Sequence, residues 1–273
     1  MAILMRFPGF KRKVFTVSYD DGRKEDVRLA NIMLKYGIKG TLNINNPISD
    51  GTKRITKEAL ADFIEKGVVE VAVHGRKHLS LALVDSGSAA YDVIKNREEL
   101  EEAFCRVIKG MAYANGSYND EVVELLKKCG IEYARTAICT EKFDMPADWM
   151  RLPTTCHHDN PRLMELARQF IEKQEEGYFW LNTPMMFFVY GHSFEFERNG
   201  NWEVFEKLCE YVGGREDIWY ATNGEIYEYD TAYKSLRISA DERIIHNPTA
   251  IDVYLRIDNK NILVKVGDTV KVG

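Results

Sequence analysis

The sequence lacks several features that would place its 273 residues in a specialised class of protein. It has no run of 18 apolar residues, so we predict no transmembrane helix. The first residues, MAILMRFPGFKRK, combine a short apolar stretch with basic residues that follow it, which does not resemble a signal peptide. We also find no internal repeat, low-complexity tract or flexible linker. An ordinary globular protein without a membrane segment is therefore expected.

Cysteine is scarce and irregularly spaced. The five residues are an odd number without a CxxC pair, at Cys105, Cys129, Cys139, Cys156 and Cys209. A disulfide framework or a CxxC metal site is not indicated by this pattern. Reduced thiols in a reducing compartment fit it better, and we therefore predict a cytoplasmic protein.

Positive charge is also limited. Lysine and arginine number 37 against 42 aspartate and glutamate residues, which gives a formal net charge of -5 and an isoelectric point of about 5.8. Binding to nucleic acid or to anionic lipid rests mainly on a basic surface, so neither partner is expected. With 45% hydrophobic residues the chain can still form a large core.

Short β-rich runs alternate with segments that have helical spacing of apolar residues. The predicted strands are residues 14–19, 40–45, 68–73, 108–113, 131–136, 150–153, 185–190 and 218–221. The predicted helices are residues 27–36, 57–66, 97–107, 119–129, 161–174 and 202–212. Alternation of this kind predicts a parallel sheet with helices outside it, and the number of units favours a β/α barrel over an open sheet.

The pattern changes after about residue 236. Residues 250–257, 261–266 and 269–272 are short β-rich pieces, and the turns between them predict two hairpins. We therefore predict an α/β protein with a distorted barrel of about seven strands over residues 1–236. A small antiparallel β appendage over residues 237–273 is expected to pack on the barrel, because it is too short to bury a core alone.

Three predicted strands end in polar residues. Asp20 and Asp21 follow the strand at residues 14–19. His74 follows the strand at residues 68–73, and His78 lies four residues later. His192 follows the strand at residues 185–190. Functional groups of a β/α barrel lie at the carboxyl ends of its strands, so these side chains are expected at one rim. One carboxylate pair and two imidazoles are ligand types that Zn²⁺ prefers.

Each of these pieces also has a purely structural interpretation. The sequence Asp20-Asp21-Gly22 is typical of a tight turn, and an acidic residue often caps the helix that follows such a turn. His74 and His78 could simply be one buried, hydrogen-bonded histidine and one surface histidine. Their spacing makes the two side chains neighbours only if the segment is helical. The combination of all the pieces favours a functional site.

Three motifs together resemble a known family. TVSYDDG at residues 16–22, HGRKH at residues 74–78 and VYGHSF at residues 189–194 resemble the first, second and last motifs of the polysaccharide deacetylase family, also called the NodB-homology domain or carbohydrate esterase family 4. Their order and spacing match as well, and the resemblance extends over residues 14–235. It implies a distorted β/α barrel that hydrolyses N-acetyl groups of amino sugars in a metal-dependent reaction.

The resemblance also implies roles for individual residues. Asp20 would be the general base, His192 the general acid, and Asp21, His74 and His78 the metal ligands. Three protein ligands leave coordination positions open, so a metal there can lower the pKa of water and polarise the acetamide carbonyl. Zn²⁺ is the expected metal from the ligand types.

The chain departs from the family in the third motif. The family has an Arg-Pro-Pro-aromatic-Gly loop, whereas residues 112–116 read AYANG, so the arginine that steadies the base is missing from its usual place. Arg135 or Arg151, each near the end of a predicted strand, could replace it. A backbone N–H at Asn115 could still stabilise the oxyanion.

Two further stretches have open interpretations. Trp149, in an approximate fourth motif, either lines an acetyl or sugar pocket together with Asn115 and Arg151 or belongs to the core. His157 and His158 are expected in a rim loop with one histidine near the substrate, because adjacent histidines in a strand point to opposite faces.

The function expected from these observations is metal-dependent N-deacetylation of an amino sugar in a polysaccharide or oligosaccharide. A hydrolase of another small C–N amide on the same scaffold is the nearest alternative, because the altered third loop changes the pocket. A non-catalytic carbohydrate-binding relative is the alternative from another class, although a binding protein needs no general base.

Overall fold

The computed structural model describes residues 2–45, 53–178 and 181–272. The strands are β1 (Ile3–Arg6), β2 (Lys13–Asp20), β3 (Gly40–Ile44), β4 (Val69–Val73), β5 (Gly110–Ala112), β6 (Tyr133–Cys139), β7 (Leu152–Thr154), β8 (Cys156–His157), β9 (Met185–Gly191), β10 (Ile218–Tyr220), β11 (Arg237–Ile238), β12 (Ile244–His246), β13 (Val253–Ile257), β14 (Lys260–Val264) and β15 (Thr269–Lys271). The helices are α1 (Asp26–Tyr36), α2 (Lys57–Glu65), α3 (Ser86–Phe104), α4 (Asp120–Lys128), α5 (Leu163–Glu172), α6 (Ser193–Asn199), α7 (Trp202–Val212) and α8 (Asn223–Lys234).

The parallel strands close into a ring. Their order is β7-β6-β5-β4-β3-β2-β9-β8, and β10 pairs with the start of β2. Only Thr155 separates β7 from β8, and these two pieces pair with β6 and β9 respectively. The segment that contains β7 and β8 therefore pairs with both ends of the sheet and closes it. Because β7 and β8 share one position in the ring, the eight strands occupy seven positions. This arrangement confirms the predicted distorted barrel of about seven strands.

Strand β2 explains how the sequence produces both a core and a site. All eight of its residues are buried. Phe15, Val17 and Tyr19 belong to the main hydrophobic core, which includes residues from helices α1, α2 and α7. Because side chains alternate along a strand, the opposite face carries Ser18 and Asp20. The inner face of β2 is thus polar, and its last residue is Asp20.

Helix α8 closes the amino-terminal end of the barrel. Thr16 donates to the Asn223 side chain over 3.1 Å, and the Asn223 backbone N–H donates to Thr41 over 3.0 Å. The Gly224 N–H donates to the carboxylate of the half-buried Glu70 over 2.9 Å. These contacts come from the first half of β2 and from the second residues of β3 and β4, so α8 covers one end of the barrel and the carboxyl end is left for chemistry.

Three helices differ from the sequence-based expectation. Helix α3 begins at Ser86 and not near residue 97, because Asp85 caps it by accepting from the Ser88 N–H. Its first turns lack the apolar spacing that marks a helix in a sequence. The short helix α6, which begins directly after His192, was not predicted at all, and neither was helix α8.

The C-terminal region contains two small antiparallel sheets, in the orders β1-β13-β14 and β11-β12-β15. The hairpin of β13 and β14 is confirmed, and its turn residues Asp258 and Asn259 have φ of 44° and 66°. The second predicted hairpin is wrong, because β15 pairs with β12 and not with β14. Strand β1 pairs with β13, so the first residues of the chain join this region, and a division at residue 236 stays a prediction.

The helices of residues 2–45, 53–178 and 181–272 include none that combines the length and the apolar character needed to cross a membrane.

Candidate active site

Asp21, His74 and His78 converge at the carboxyl end of the barrel. Asp21 Oδ1 lies 3.9 Å from His74 Nε2 and 3.7 Å from His78 Nε2. Ligands at about 2.0–2.2 Å from a tetrahedral Zn²⁺ are about 3.3–3.6 Å apart, so shifts of a few tenths of an ångström would bring these atoms into coordination. The donor set of one carboxylate and two imidazoles fits the predicted metal.

The loop after β2 explains why Asp20 and Asp21 point to different places. Asp20 ends the strand with its side chain inside the barrel, whereas Asp21 has a left-handed backbone with φ of 83°. Gly22 follows with φ of 61°, and a Cβ there would lie 2.7 Å from Ile44 Cγ2. Asn45 donates to Asp21 Oδ1 over 2.8 Å. The turn that the sequence indicates therefore points the Asp21 side chain, the predicted ligand, towards the two histidines.

His74 and His78 are brought together without a helix, contrary to the spacing argument. Gly75 has φ of 79° and His78 has φ of 55°, which form a tight turn and bring the two ring centroids to 4.8 Å. His74 Nδ1 lies 2.9 Å from the carbonyl oxygen of Ala112. A metal-binding histidine commonly donates its other ring N–H in this way, and the bond leaves Nε2 facing Asp21.

Asp20 is buried beside this cluster and is held by two donors. Arg135 Nη2 contacts both carboxylate oxygens, at 2.6 Å for Oδ1, and Asn43 donates to Oδ1 over 2.8 Å. Burial alone would raise the pKa of Asp20, but the charge of Arg135, with smaller contributions from His74 and His192, holds it below its ordinary value. Asp20 is therefore ionised at neutral pH and lies next to the predicted ligands, with Oδ2 at 3.9 Å from His74 Nε2.

The two arginines proposed for the missing third-motif residue have different positions. Arg135 is 1% exposed and stacks over the ring of Tyr190 at 4.6 Å, in contact with Asp20. Arg151 instead pairs with Asp148 at 2.5 Å and with Asp120 at 2.6 Å, near the surface. The structure does not bring Arg151 to the cluster, because its guanidinium is occupied by these two carboxylates.

Trp149 also lies elsewhere than a substrate pocket. Its ring packs edge-on against Tyr133 and Tyr227, and its Nε1–H donates to Asp230 over 2.6 Å. Tyr133 begins β6, so this core cluster lies towards the amino-terminal side of the barrel, opposite to Asp20. The core interpretation of Trp149 therefore fits the structure, and the pocket interpretation does not.

Asn115 keeps a position compatible with its predicted role. It follows β5 in a short turn at the carboxyl end of the barrel, with φ of 56°, and its side chain donates to Ser80 over 3.0 Å. His74 is bonded to β5 as well, so the turn is next to the predicted metal ligands. A function of the Asn115 N–H towards an oxyanion remains a prediction.

His192 follows β9 directly and occupies the N-cap position of α6 without a capping hydrogen bond from its side chain. Its Nδ1 lies 3.5 Å from Glu195 Oε2, and its side chain is 29% exposed. His157 and His158 meet at the same carboxylate, although we expected adjacent histidines to diverge. The reason is that β8 ends at His157, so the alternation of a strand does not extend to His158. Burial lowers the pKa of His158 to about 3, so its imidazole is neutral.

Sequence reasoning missed three groups that contact the predicted residues. Asn43 and Asn45 hold Asp20 and Asp21, and both alternate with apolar residues on or just after β3. Polar residues at every second position of a buried strand would have been a usable signal. Glu195 lies in the first turn of α6, a helix that was not predicted. Nothing in the sequence therefore indicated that its carboxylate would lie close to three histidines.

Asp26 connects the two halves of the site. This buried first residue of α1 accepts from the Ser193 hydroxyl over 2.5 Å and from the Arg23 N–H over 2.9 Å. Ser193 is next to His192, and Arg23 follows the Asp21 turn. Burial raises the pKa of Asp26 from its ordinary value of 3.8 to about 8. The folded protein therefore favours the protonated carboxyl over the whole interval between these values.

This shift predicts a pH-dependent stability. The contribution of protonated Asp26 is complete below pH 3.8 and is lost as the pH rises towards 8. Between pH 5 and 7.5, we expect the unfolding free energy of the unchanged protein to fall relative to Asp26→Asn by up to about 1.4 kcal/mol per pH unit. Urea denaturation of metal-stripped proteins measures this. Asp62→Asn, at an exposed carboxylate paired with Lys66, should run parallel to the unchanged protein; parallel curves for Asp26→Asn as well would contradict the prediction.

Comparison with known families confirms the resemblance inferred from the motifs. Residues 8–134 match the model of the polysaccharide deacetylase family. The matched range includes Asp20, Asp21, His74 and His78, whereas Arg135 and His192 lie beyond it. None of the curated proteins compared with the chain matches it.

Solved structures show a similar fold. A Mycobacterium smegmatis protein assigned as a polysaccharide deacetylase aligns with a TM-score of 0.60 at 17% identity, over 85% of this chain and 95% of that one. A family 4 carbohydrate esterase from Streptomyces lividans, in complex with acetate, aligns with a TM-score of 0.51 at 11% identity, over 76% and 91%. Against a Bacillus cereus polysaccharide deacetylase and a Bacillus anthracis relative, the aligned part spans 45% of each of those chains.

The fold alone does not select a reaction. A 4-alpha-glucanotransferase from Thermococcus litoralis aligns with a TM-score of 0.55 at 14% identity, over 79% of this chain and 40% of that one. One scaffold commonly carries several chemistries, so the function has to be argued from the residues of the site.

Proposed function

Because residues 8–134 of this chain match the polysaccharide deacetylase family, we propose that the protein is a metal-dependent hydrolase that removes N-acetyl groups from amino sugars. The observation that carries the proposal is the contact between a buried, arginine-paired aspartate and a cluster of metal-ligand type. Asp20 lies 3.9 Å from His74, one of the three residues that converge with ligand geometry. A carbohydrate-binding protein would have no use for this pair.

The proposed metal ligands are Asp21, His74 and His78. A divalent ion held there would supply Lewis acidity, which polarises the acetamide carbonyl and lowers the pKa of water. The His74 bond to Ala112 and the Asn45 bond to Asp21 orient two of the three ligands before any metal arrives. Zn²⁺ is the metal that this donor set favours.

The proposed base is Asp20. Arg135 and Asn43 keep its carboxylate ionised and fix its direction, so it can accept a proton from the attacking water without a change of rotamer. Its lowered pKa makes it a weak base, which suits a water molecule that is already acidified. The arginine that the third motif lacks is replaced, in this proposal, by Arg135 from β6.

The proposed acid is His192. The carbon–nitrogen bond breaks when the amine leaves, and the nitrogen needs a proton to leave as a neutral amine. His192 is partly exposed and its Nδ1 faces Glu195 at 3.5 Å, so its Nε2 is available to deliver that proton. The products are acetate and the free amino sugar.

The test is acetate release from N-acetylglucosamine and its oligosaccharides, measured with metal-stripped protein before and after addition of Zn²⁺. We expect acetate only after the metal is restored, and the panel also ranks substrates by chain length. Absence of acetate from every sugar while zinc is bound would refute the deacetylase proposal. Release of ammonia or amine from a panel of small linear and cyclic amides would then support the small-amide hydrolase, and inactivity on both panels would favour a binding relative.

A further inference from the structure

A second cluster of potential metal ligands lies next to His192, and apart from the contact of Glu195 with that histidine it has no role in the proposed reaction. It consists of His157, His158 and Glu195, whose ligand atoms all lie within 4.8 Å of one another. It shares no residue with the group formed by Asp21 and its two histidines. His157 ends β8, His158 follows it, and Glu195 belongs to the first turn of α6.

The distances in this cluster match those between metal ligands. Glu195 Oε2 lies 3.4 Å from His157 Nε2 and 3.3 Å from His158 Nε2. Two ligands at about 2.05 Å from a tetrahedral Zn²⁺ are separated by about 3.3–3.4 Å. The geometry is therefore closer to coordination distances than that of the first cluster, where the corresponding separations are 3.7 and 3.9 Å.

Hydrogen bonding does not account for the convergence. Glu195 Oε2 is buried and, among the residues that the structure describes, no donor meets hydrogen-bond geometry with it. His158 is 3% exposed, and its Nδ1 also has no partner in the described chain. A buried carboxylate oxygen without a donor is costly, and a cation between the three groups would remove that cost.

The surroundings also orient one ligand for a metal. His157 Nδ1 lies 2.5 Å from Asp159 Oδ1, so the ring donates its Nδ1–H to a carboxylate and presents Nε2 to Glu195. Carboxylate–histidine–metal arrangements of this kind are common around zinc. The His157 and Glu195 side chains are 20% and 18% exposed, so an ion from solvent can reach them.

We propose that His157, His158 and Glu195 form a second binding site for a divalent cation of the Zn²⁺ type, next to the His192 side chain. Two imidazoles and one carboxylate leave a fourth position open. The binding of this cation does not depend on the proposed function.

The experiment counts zinc in variants of the full chain. Metal-stripped proteins are dialysed against buffered free Zn²⁺, and bound zinc per chain is measured by mass spectrometry. We expect two equivalents in the unchanged protein, one for each cluster. Glu195→Gln and His157→Gln should each keep one equivalent, and His74→Ala should lose the other one. His246→Gln, at a histidine on β12 outside both clusters, should keep both.

The outcomes separate this proposal from the proposed function. A single equivalent in the unchanged protein that disappears with His74→Ala, or two equivalents that persist in Glu195→Gln, would overturn the second site. Circular dichroism of each variant establishes that a lost equivalent does not reflect unfolding. Two equivalents in a protein that releases no acetate would refute the deacetylase proposal and leave the second site standing.

Discussion

Arg135→Met is expected to lower the unfolding free energy of the protein by about 3–5 kcal/mol, because it leaves the buried carboxylate of Asp20 without its ionic partner. Both side chains lie inside the barrel, at 1% and 5% exposure. The replacement also removes the guanidinium that stacks over Tyr190. Urea denaturation of metal-stripped proteins at pH 7 measures the loss.

The loss should depend on pH. In the unchanged protein the pKa of Asp20 is below its ordinary value, so the stability that the pair contributes is present above that value and is lost as the pH falls. Without Arg135, burial is the strongest influence and raises this pKa, so the destabilisation grows as the pH rises. The gap between the two proteins should therefore be smaller at pH 4 than at pH 7.

Two further variants identify the cause. Arg168→Met removes an exposed arginine that pairs with Glu172 on α5, and it should change stability by at most about 0.5 kcal/mol. Adding Asp20→Asn to Arg135→Met removes both buried charges and should recover much of the loss. If the double variant is no more stable than Arg135→Met, packing and not charge explains the effect.

The barrel strands were predictable because a parallel sheet is buried on both faces. Each strand is therefore an apolar run, and polar or glycine-containing turns separate one run from the next. Strand β2 is one such run, and its predicted range agrees with the structure to within one residue at each end. The elements that were missed lack this signal. Strand β8 has only two residues, and α8 packs on the barrel end through Asn223 and Asp230, so its buried face is partly polar.

The centre of the site was predictable where its residues are contiguous in sequence, as in the Asp20–Asp21 pair and the HGRKH stretch. Its supporting contacts depend on strand register. Asp20 is paired with Asn43 across β2 and β3, and Arg135 reaches it from β6. A sequence shows two arginines near strand ends, but only the closed ring shows that Arg135 points inwards while Arg151 lies in a surface turn.

Asp20→Asn is expected to reduce the turnover of whichever N-acetylated sugar releases acetate by about 10²–10⁴-fold, because the amide cannot take the proton of the attacking water. Zinc at the first cluster should be unaffected, because Asp21, His74 and His78 are unchanged. Asp21→Asn is the variant to compare with it, because it should lower zinc binding and turnover together. Turnover is measured as acetate release at saturating Zn²⁺, and bound zinc by mass spectrometry.

The buried Arg135 complicates this comparison, because Asp20→Asn leaves its charge without a partner. The variant that carries both Asp20→Asn and Arg135→Met resolves it: its stability should approach that of the unchanged protein while its turnover stays as low as that of Asp20→Asn. Hydrolysis at the normal rate in Asp20→Asn would show that another group is the base. Loss of zinc from Asp20→Asn in parallel with activity would instead make Asp20 a metal ligand, and the 3.9 Å separation from His74 would then be a ligand–ligand distance.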